Sequence, residues 1–364
     1  MSADQLLIAL MALFAVLGAL DRIFGGRFGI GREFESGILT MGSLAMAMVG
    51  IVCLAPVLAA VLRPVVVPVF RLLGADAAMF AGSILACDMG GGALARELTQ
   101  NADAAALGGV ITGSMLGATV VFTIPVAMGI LDEGDRPAMA KGILCGIITI
   151  PVGVLVGGLV AGFPLAMVAQ NLIPIVILAA LIALGLWRAE KAMVRGFELF
   201  GKGVVAVSTA GLAAAIAQSL TGVVVIPGMA PIADGFQTVG SIAIVLAGAF
   251  PLVAILTRLL RKPLLAAGKY LGINDAAAAG LIASLANSIA TFGMVKNMNP
   301  RGKVVNIAFA VSAAFVFGDH LGFTAGFAPE LLPAVILGKL SGGVSAVLVA
   351  LLLTAKEGDS TKRS

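Results

Sequence analysis

Long apolar runs separated by short charged loops dominate this chain of 364 residues. A helix that spans a bilayer needs about 20 mostly apolar residues. On that measure the pattern predicts spans at 4–20, 38–62, 104–130, 138–161, 165–187, 198–219, 238–260, 303–327 and 331–354. Two further stretches, 77–98 and 276–297, interrupt the pattern. The first contains LACDMGGGALARE, Leu85 to Glu97, whose charges and three successive glycines suit a turn inside the protein better than a lipid-facing helix. The second contains IASLANSIATFGM, Ile282 to Met294, broken by polar residues in the same way. Both are expected to be re-entrant or broken segments.

The apolar pattern also repeats. Setting Met41 against Val239 (239 − 41 = 198) aligns the chain with itself without a gap, and 14 of the 43 positions from Gly42 to Ile84 are then identical. Gly42, Ser43, Gly50, Arg63, Gly74 and Gly82 are among them, and glycine and polar matches are harder to attribute to chance than Ala or Leu. Duplication of this kind is a mark of secondary transporters. The expected division is a first transmembrane repeat over 1–162, a linker helix and cytoplasmic loop over 163–197, a second repeat over 198–355, and a tail over 356–364. If both irregular segments enter and leave on one face, each half crosses four times and the linker once. The repeats are then inverted.

Composition and charge sharpen this reading. The chain is 60% hydrophobic and 12% charged, with a mean hydropathy of +1.10, which sets it apart from soluble domains. MSADQLL carries Asp4 and no Lys or Arg before the first apolar run, so that run is expected to be a span and not a cleaved leader. Cys53, Cys87 and Cys145 all fall within apolar segments without CxxC spacing, so neither a disulfide framework nor a metal cluster is expected. The net charge of +4 does not point to nucleic acid, because the basic residues are spread over short loops. With an outside N-terminus and two re-entrant segments, eighteen Lys and Arg collect on one face, against Arg63, Arg71 and Arg96 on the other. Lys202 and Lys339, inside predicted spans, are left aside. Such an asymmetry distinguishes cytoplasmic from external loops.

Ionisable residues at membrane depth cost at least ~2.5–3.5 kcal/mol on insertion scales, and therefore pair, face a cavity or carry function. Asp88 precedes Met89-Gly90-Gly91-Gly92, and Asp319 stands in FVFGDHLGF beside His320, the only histidine, where Gly318 and Gly322 would permit a helix break. Broken helices build midplane substrate sites. Asn287, Ser288 and Thr291 lie in the second irregular segment, and a one-residue gap in the repeat sets Asn287 against Asp88. The candidate substrate-binding set is Asp88, Asp319, His320, Asn287, Ser288 and Phe317. Against each stands a plainer reading: the aspartates as structural partners of Lys339, His320 as a satisfied hydrogen-bonding residue, Phe315, Phe317 and Phe323 as packing, and Lys339 as a structural or outward-reaching side chain.

Those residues carry a resemblance. LACDMGG, LANSIATFGM, RGKVVNIAFAVSAAFVFGDHLGF, TRLLRKPL and AMVGIVCLAPVLA resemble the EutH family of bacterial inner-membrane ethanolamine-utilisation proteins, nearly end to end. The loop before Gly240 is shorter than expected for that family. The resemblance implies uptake of ethanolamine, which this family's pathway degrades inside bacterial microcompartments through a cobalamin-dependent lyase. It assigns no binding residues. The chemistry agrees: a small ammonium with a hydroxyl two carbons away needs a carboxylate, a hydroxyl or amide partner, and an aromatic face. The expected partners are this small molecule and membrane lipid, with no nucleic acid and no cofactor, and a homo-oligomer is allowed.

Two other classes share the intramembrane acids. An aspartyl protease would place paired carboxylates on a water, but Cys87 precedes Asp88, Val316 stands where the first glycine of GxGD belongs, and PAL is absent. A cation/proton antiporter would use the same residues. No Walker sequence is present, which leaves facilitated diffusion and ion-coupled transport.

Overall fold

The computed structural model describes residues 2–360, apart from the side chains at 260, 261, 264, 267 and 356–360, and it places no strand among them. Among the described residues, seven helices are long and apolar enough to cross a membrane, as expected of an all-α polytopic membrane protein. In chain order these and the shorter helices are α1 (Ala3–Ile23), α2 (Ile30–Leu72), α3 (Ala78–Ile84), α4 (Gly91–Leu98), α5 (Ala102–Ile130), α6 (Glu133–Val160) and α7 (Leu165–Thr221). There follow α8 (Ile232–Leu271), α9 (Asp275–Ala286), α10 (Ser288–Met294), α11 (Pro300–Ala313), α12 (Asp319–Phe327) and α13 (Leu332–Ser360).

Asp21 fixes the first turn: its carboxylate accepts the backbone N–H groups of Phe28, Ile30 and Gly31 at 2.9, 3.0 and 2.8 Å, capping the start of α2. At 1.5 Å per residue α2 is about 65 Å long, twice the hydrocarbon thickness of ~30 Å. It contains Pro56, Pro64 and Pro68 and a π-helical stretch at Ala45–Val49, each a known source of bending. The apolar reading of 38–62 caught only its middle. The polar turns at Arg32–Glu35 belong to the helix too, since nothing forbids a helix from leaving the bilayer.

Helix α7 also exceeds the thickness of a membrane. Its single non-helical residue is Ala189 (φ −144°, ψ 47°), and Leu178 and Ile182 from before the bend line one cleft with Met193 and Phe197 from after it. The chain doubles back at Ala189, so the expected linker span and the next span are two arms joined by a one-residue bend where the sequence suggested a loop.

Both irregular segments return to where they began. Thr99, just after α4, donates its hydroxyl to Asp76, just before α3, at 2.8 Å. In the second, the Asn274 amide donates to the Asn297 carbonyl at 2.9 Å, and the Asn299 amide to the Gly272 carbonyl at 3.0 Å. Each pair of short helices is therefore a hairpin tied at its mouth. A side-chain amide or hydroxyl suits this role because the helix termini at the mouth leave backbone groups without partners.

The repeat offset maps onto the elements. Adding 198 to the bounds of α5 gives 300–328, the place of α11 and α12, and adding it to α6 gives 331–358, the place of α13. The two copies differ in how they interrupt the helix. In α11–α12 the backbone unwinds over 314–318; in α5 it widens into π-helix at Ala106–Gly117 and Thr119–Thr123. The predicted span 303–327 is thus two helices.

Candidate functional site

Three interruptions converge. In the first hairpin Leu85 and Ala86 are extended, Cys87–Met89 make one 3-10 turn, and Gly90 takes φ +93°, a left-handed conformation that favours glycine. Between α11 and α12, Phe315 adopts φ +63°, unusual for a side-chain-bearing residue. Its N–H donates to the Ser284 carbonyl (3.0 Å), and the Phe317 N–H donates to the Leu285 carbonyl (2.8 Å), so the end of α9 in the second hairpin supplies the bonds that the unwound stretch lost. Gly318 backs against the Ala286 carbonyl so closely that a Cβ there would overlap it. The break precedes Asp319. Gly322, expected to share in it, lies inside α12 and packs on Leu246.

This arrangement brings Asp88, Asp319 and His320 to the wall of one cavity of about 780 Å³, with Phe122 and Phe315 beside them. The His320 Nε2 lies 3.7 Å from an Asp88 carboxylate oxygen, and the buried Nδ1 has no hydrogen-bond partner among the described residues. Phe315 tilts against the imidazole at 5.2 Å between ring centroids, and Phe122 meets Phe315 edge-on at 5.5 Å. Asp319 begins α12, where backbone N–H groups and the helix dipole favour a negative charge.

The remaining sequence candidates lie elsewhere. Asn287 is the extended residue between α9 and α10, and its side-chain oxygen accepts the Ile289 N–H at 2.7 Å. Ser288 is buried with no partner for its hydroxyl among the described residues, and Phe317 is half-buried; none of the three lines the cavity. The repeat relation between Asp88 and Asn287 therefore holds for the two breaks but does not put the amide opposite the acid. Lys339 does not reach outward. It is 1% exposed, donates to the Ser114 carbonyl, and faces Cys87, Asp88 and His320 electrostatically. Its sequence signal was plain, a lysine in the middle of AVILGKLSGG, but an apolar helix does not disclose which way one lysine points.

The cavity is also lined by Glu198 and Lys202 on the second arm of α7, which pair at 2.7 Å. Gly92 of α4 packs on Phe323 and Phe327 of α12, whose rings stack at 4.7 Å. The Arg96 guanidinium lies 3.6 Å over the Phe327 ring and donates to the Phe327 carbonyl at 3.0 Å. Arg96 and Phe327 also line a separate cleft of about 330 Å³, together with Thr99, Asn101 and Glu330.

Residues 3–353 match the family described as "Ethanolamine utilisation protein, EutH". The chain belongs to the EutH family. A Listeria monocytogenes protein named "Probable ethanolamine permease EutH" is 57% identical over 353 residues, covering 97% of this chain and 95% of the relative. The Escherichia coli protein of the same name is 48% identical over 395 residues, covering 98% and 97%. The Bacillus subtilis "Uncharacterized protein YxeR" is 49% identical over 97% of this chain and 96% of its own length. No solved structure matches. This EutH-family chain is a multi-pass protein of the bacterial inner, or cytoplasmic, membrane.

Proposed function

We propose that the protein carries ethanolamine into the cell as its ammonium form, without enzymatic chemistry, and that Asp88 and Asp319 hold the ammonium group. The observation that carries this reading is the pair of carboxylates, Asp88 and Asp319, on the wall of one cavity that also includes Glu198 and Lys202. His320 stands next to Asp88, where its imidazole can hydrogen-bond the substrate hydroxyl, and Phe315 offers a ring face to the cation. A substrate of four non-hydrogen atoms needs roughly 100 Å³, judged from the ~30 Å³ of a liquid water, so most of the cavity is left as an aqueous path.

The proposed topology has residues 1–162 and 198–355 as inverted repeats about an axis in the membrane plane, joined by 163–197. It is supported by the tied mouths of both hairpins and by the charge asymmetry of the loops. The tail over 356–364 begins within α13, and 361–364 lie outside the described residues. In this topology Glu198 and Lys202 mark the cytoplasmic mouth, and Arg96 with Phe327 the external closure, so the conformation is open to the cytoplasm. Cysteines introduced at Lys191 and Lys262 are expected to react with a membrane-impermeant maleimide only from the cytoplasmic side. Labelling of either from outside would reverse the arrangement.

For mechanism we infer facilitated diffusion of the cation. One positive charge moving through an interior-negative potential of 100 mV gains ~2.3 kcal/mol, which sustains about fifty-fold accumulation with no coupling ion. Imposing a potassium diffusion potential, negative inside, on proteoliposomes is expected to raise labelled ethanolamine uptake several-fold at equal pH and sodium on both sides. Uptake that ignores the potential and follows a sodium or proton gradient instead would replace this mechanism with a coupled one.

A further inference from the structure

Helix α12 carries Asp319, Phe323 and Phe327 at i, i+4 and i+8, one line along its face, and α4 sets Gly92 and Arg96 against the two aromatic positions of that line. Asp319 lines the large cavity. Arg96 and Phe327 line the separate cleft of about 330 Å³, and at 1.5 Å per residue Phe327 stands about 12 Å along the helix from the acid. The transport reading uses only the first end of this seam.

The second end also has the chemistry of a cation site. Helix α12 stops at Phe327, because Ala328 (φ −154°, ψ 71°) leaves helical geometry. A helix C-terminus leaves carbonyls without intrahelical partners and carries the negative end of the helix dipole, and both favour a positive charge. One is already there. The Arg96 guanidinium lies 3.6 Å over the Phe327 ring and donates to the Phe327 carbonyl at 3.0 Å, with the Glu330 carboxylate acting on it electrostatically. A ring face, a carbonyl and a carboxylate are the groups that recognise an alkylammonium. Gln100 and Asn101 add amides to the same wall, the partners a hydroxyl needs. Arg96 is exposed, so it has a way out to solvent when it leaves the ring. The cleft holds about three times the roughly 100 Å³ of a molecule with four non-hydrogen atoms.

We propose that this cleft is a second binding site for a small hydroxylated primary ammonium, formed by the Phe327 ring and carbonyl with the Glu330 carboxylate, which Arg96 occupies in this conformation and vacates for the substrate. Its role rests on the transport reading, to which it adds a station at the far end of the α4–α12 seam from Asp319. In the proposed topology that end faces outward, so the cleft receives ethanolamine before the acids do.

The test is saturation-transfer NMR of millimolar ethanolamine with the purified full chain in detergent, a measurement suited to weak sites. Asp319→Asn, which impairs the site at the acids, is expected to give little signal, because Arg96 fills the cleft. Asp319→Asn with Arg96→Ala is expected to raise that signal several-fold. Adding Phe327→Leu or Glu330→Gln is expected to cut the gain by about 3-fold or more. Glu330 is exposed, so Glu330→Gln gives the answer even where Phe327→Leu disturbs packing. Ethylene glycol, the neutral diol of the same length, is expected to show no gain with Arg96→Ala. No gain with ethanolamine on Arg96→Ala, a gain that survives Glu330→Gln and Phe327→Leu, or an equal gain with ethylene glycol would overturn the proposal. Because the readout is made in a chain without the Asp319 carboxylate, failure of the transport reading shows separately, as a wild type without Asp319-dependent binding.

Discussion

Asp319→Asn is expected to weaken equilibrium binding of labelled ethanolamine to the purified protein by about ten- to hundred-fold, and Asp88→Asn by at least as much. A hydrogen bond to a charged group is worth roughly 1.5–3 kcal/mol, and removing the carboxylate charge while keeping its shape isolates that contribution. The two positions are not equivalent. Asp319 has no side-chain hydrogen bond or ion pair within 4.0 Å among the described residues, so its replacement removes a ligand contact and little else. Asp88 stands beside His320 and faces Lys339, so its replacement also leaves a buried ammonium less well compensated. The Asp88 variant should therefore lose thermal stability as well as affinity, while the Asp319 variant should lose affinity alone. Asp132→Asn, in the exposed turn between α5 and α6, is the control and should bind as wild type does. Unchanged binding in both membrane variants at normal protein levels would remove these aspartates from the site.

Gly318→Ala is expected to abolish transport although it adds one methyl group. Gly318 (φ −116°, ψ −132°) lies against the carbonyl of Ala286, and its Cβ would occupy the space of that oxygen. The Ala286 backbone cannot retreat freely, because the preceding carbonyls of Ser284 and Leu285 hold Phe315 and Phe317. The strain therefore falls on the unwound stretch that orients Asp319 and His320. Overpacking of this kind costs typically 1–3 kcal/mol, and a displacement of about 1 Å at a binding site is enough to lose productive geometry. Gly322→Ala, inside α12 and facing the flexible end of Leu246, should be milder. Normal uptake by Gly318→Ala would mean that the contact between the second hairpin and the α11–α12 break does not shape the site.

How far the sequence discloses this architecture follows from what each signal depends on. The two hairpins were legible because charge and glycine inside an apolar run are physically hard to reconcile with a lipid-facing helix, and LACDMGGG contains both. Asp88, Asp319 and His320 were legible for a related reason, the cost of ionisable groups at membrane depth. The extent of α2 was not, because apolar periodicity reports the bilayer and not the helix that runs beyond it. Asn287 and Ser288 were placed near the acids by repeat alignment, which equates positions in the chain but does not fix which way a side chain turns; Asn287 instead caps the short helix it precedes. Phe122 at the cavity and Lys339 buried against the Ser114 carbonyl needed the structure, since their places depend on how α5 and α13 pack.

The central claim is that this chain moves ethanolamine through the cavity lined by Asp88 and Asp319. The most direct measurement is initial-rate uptake of labelled ethanolamine into proteoliposomes, set beside protein-free liposomes of the same lipid and beside Asp319→Asn proteoliposomes, at a pH near 7 where the ammonium form dominates. The account predicts a saturable rate well above that of empty liposomes, reduced at least ten-fold in Asp319→Asn. Equal rates in wild-type proteoliposomes and empty liposomes, or a saturable rate untouched by Asp319→Asn, would contradict it.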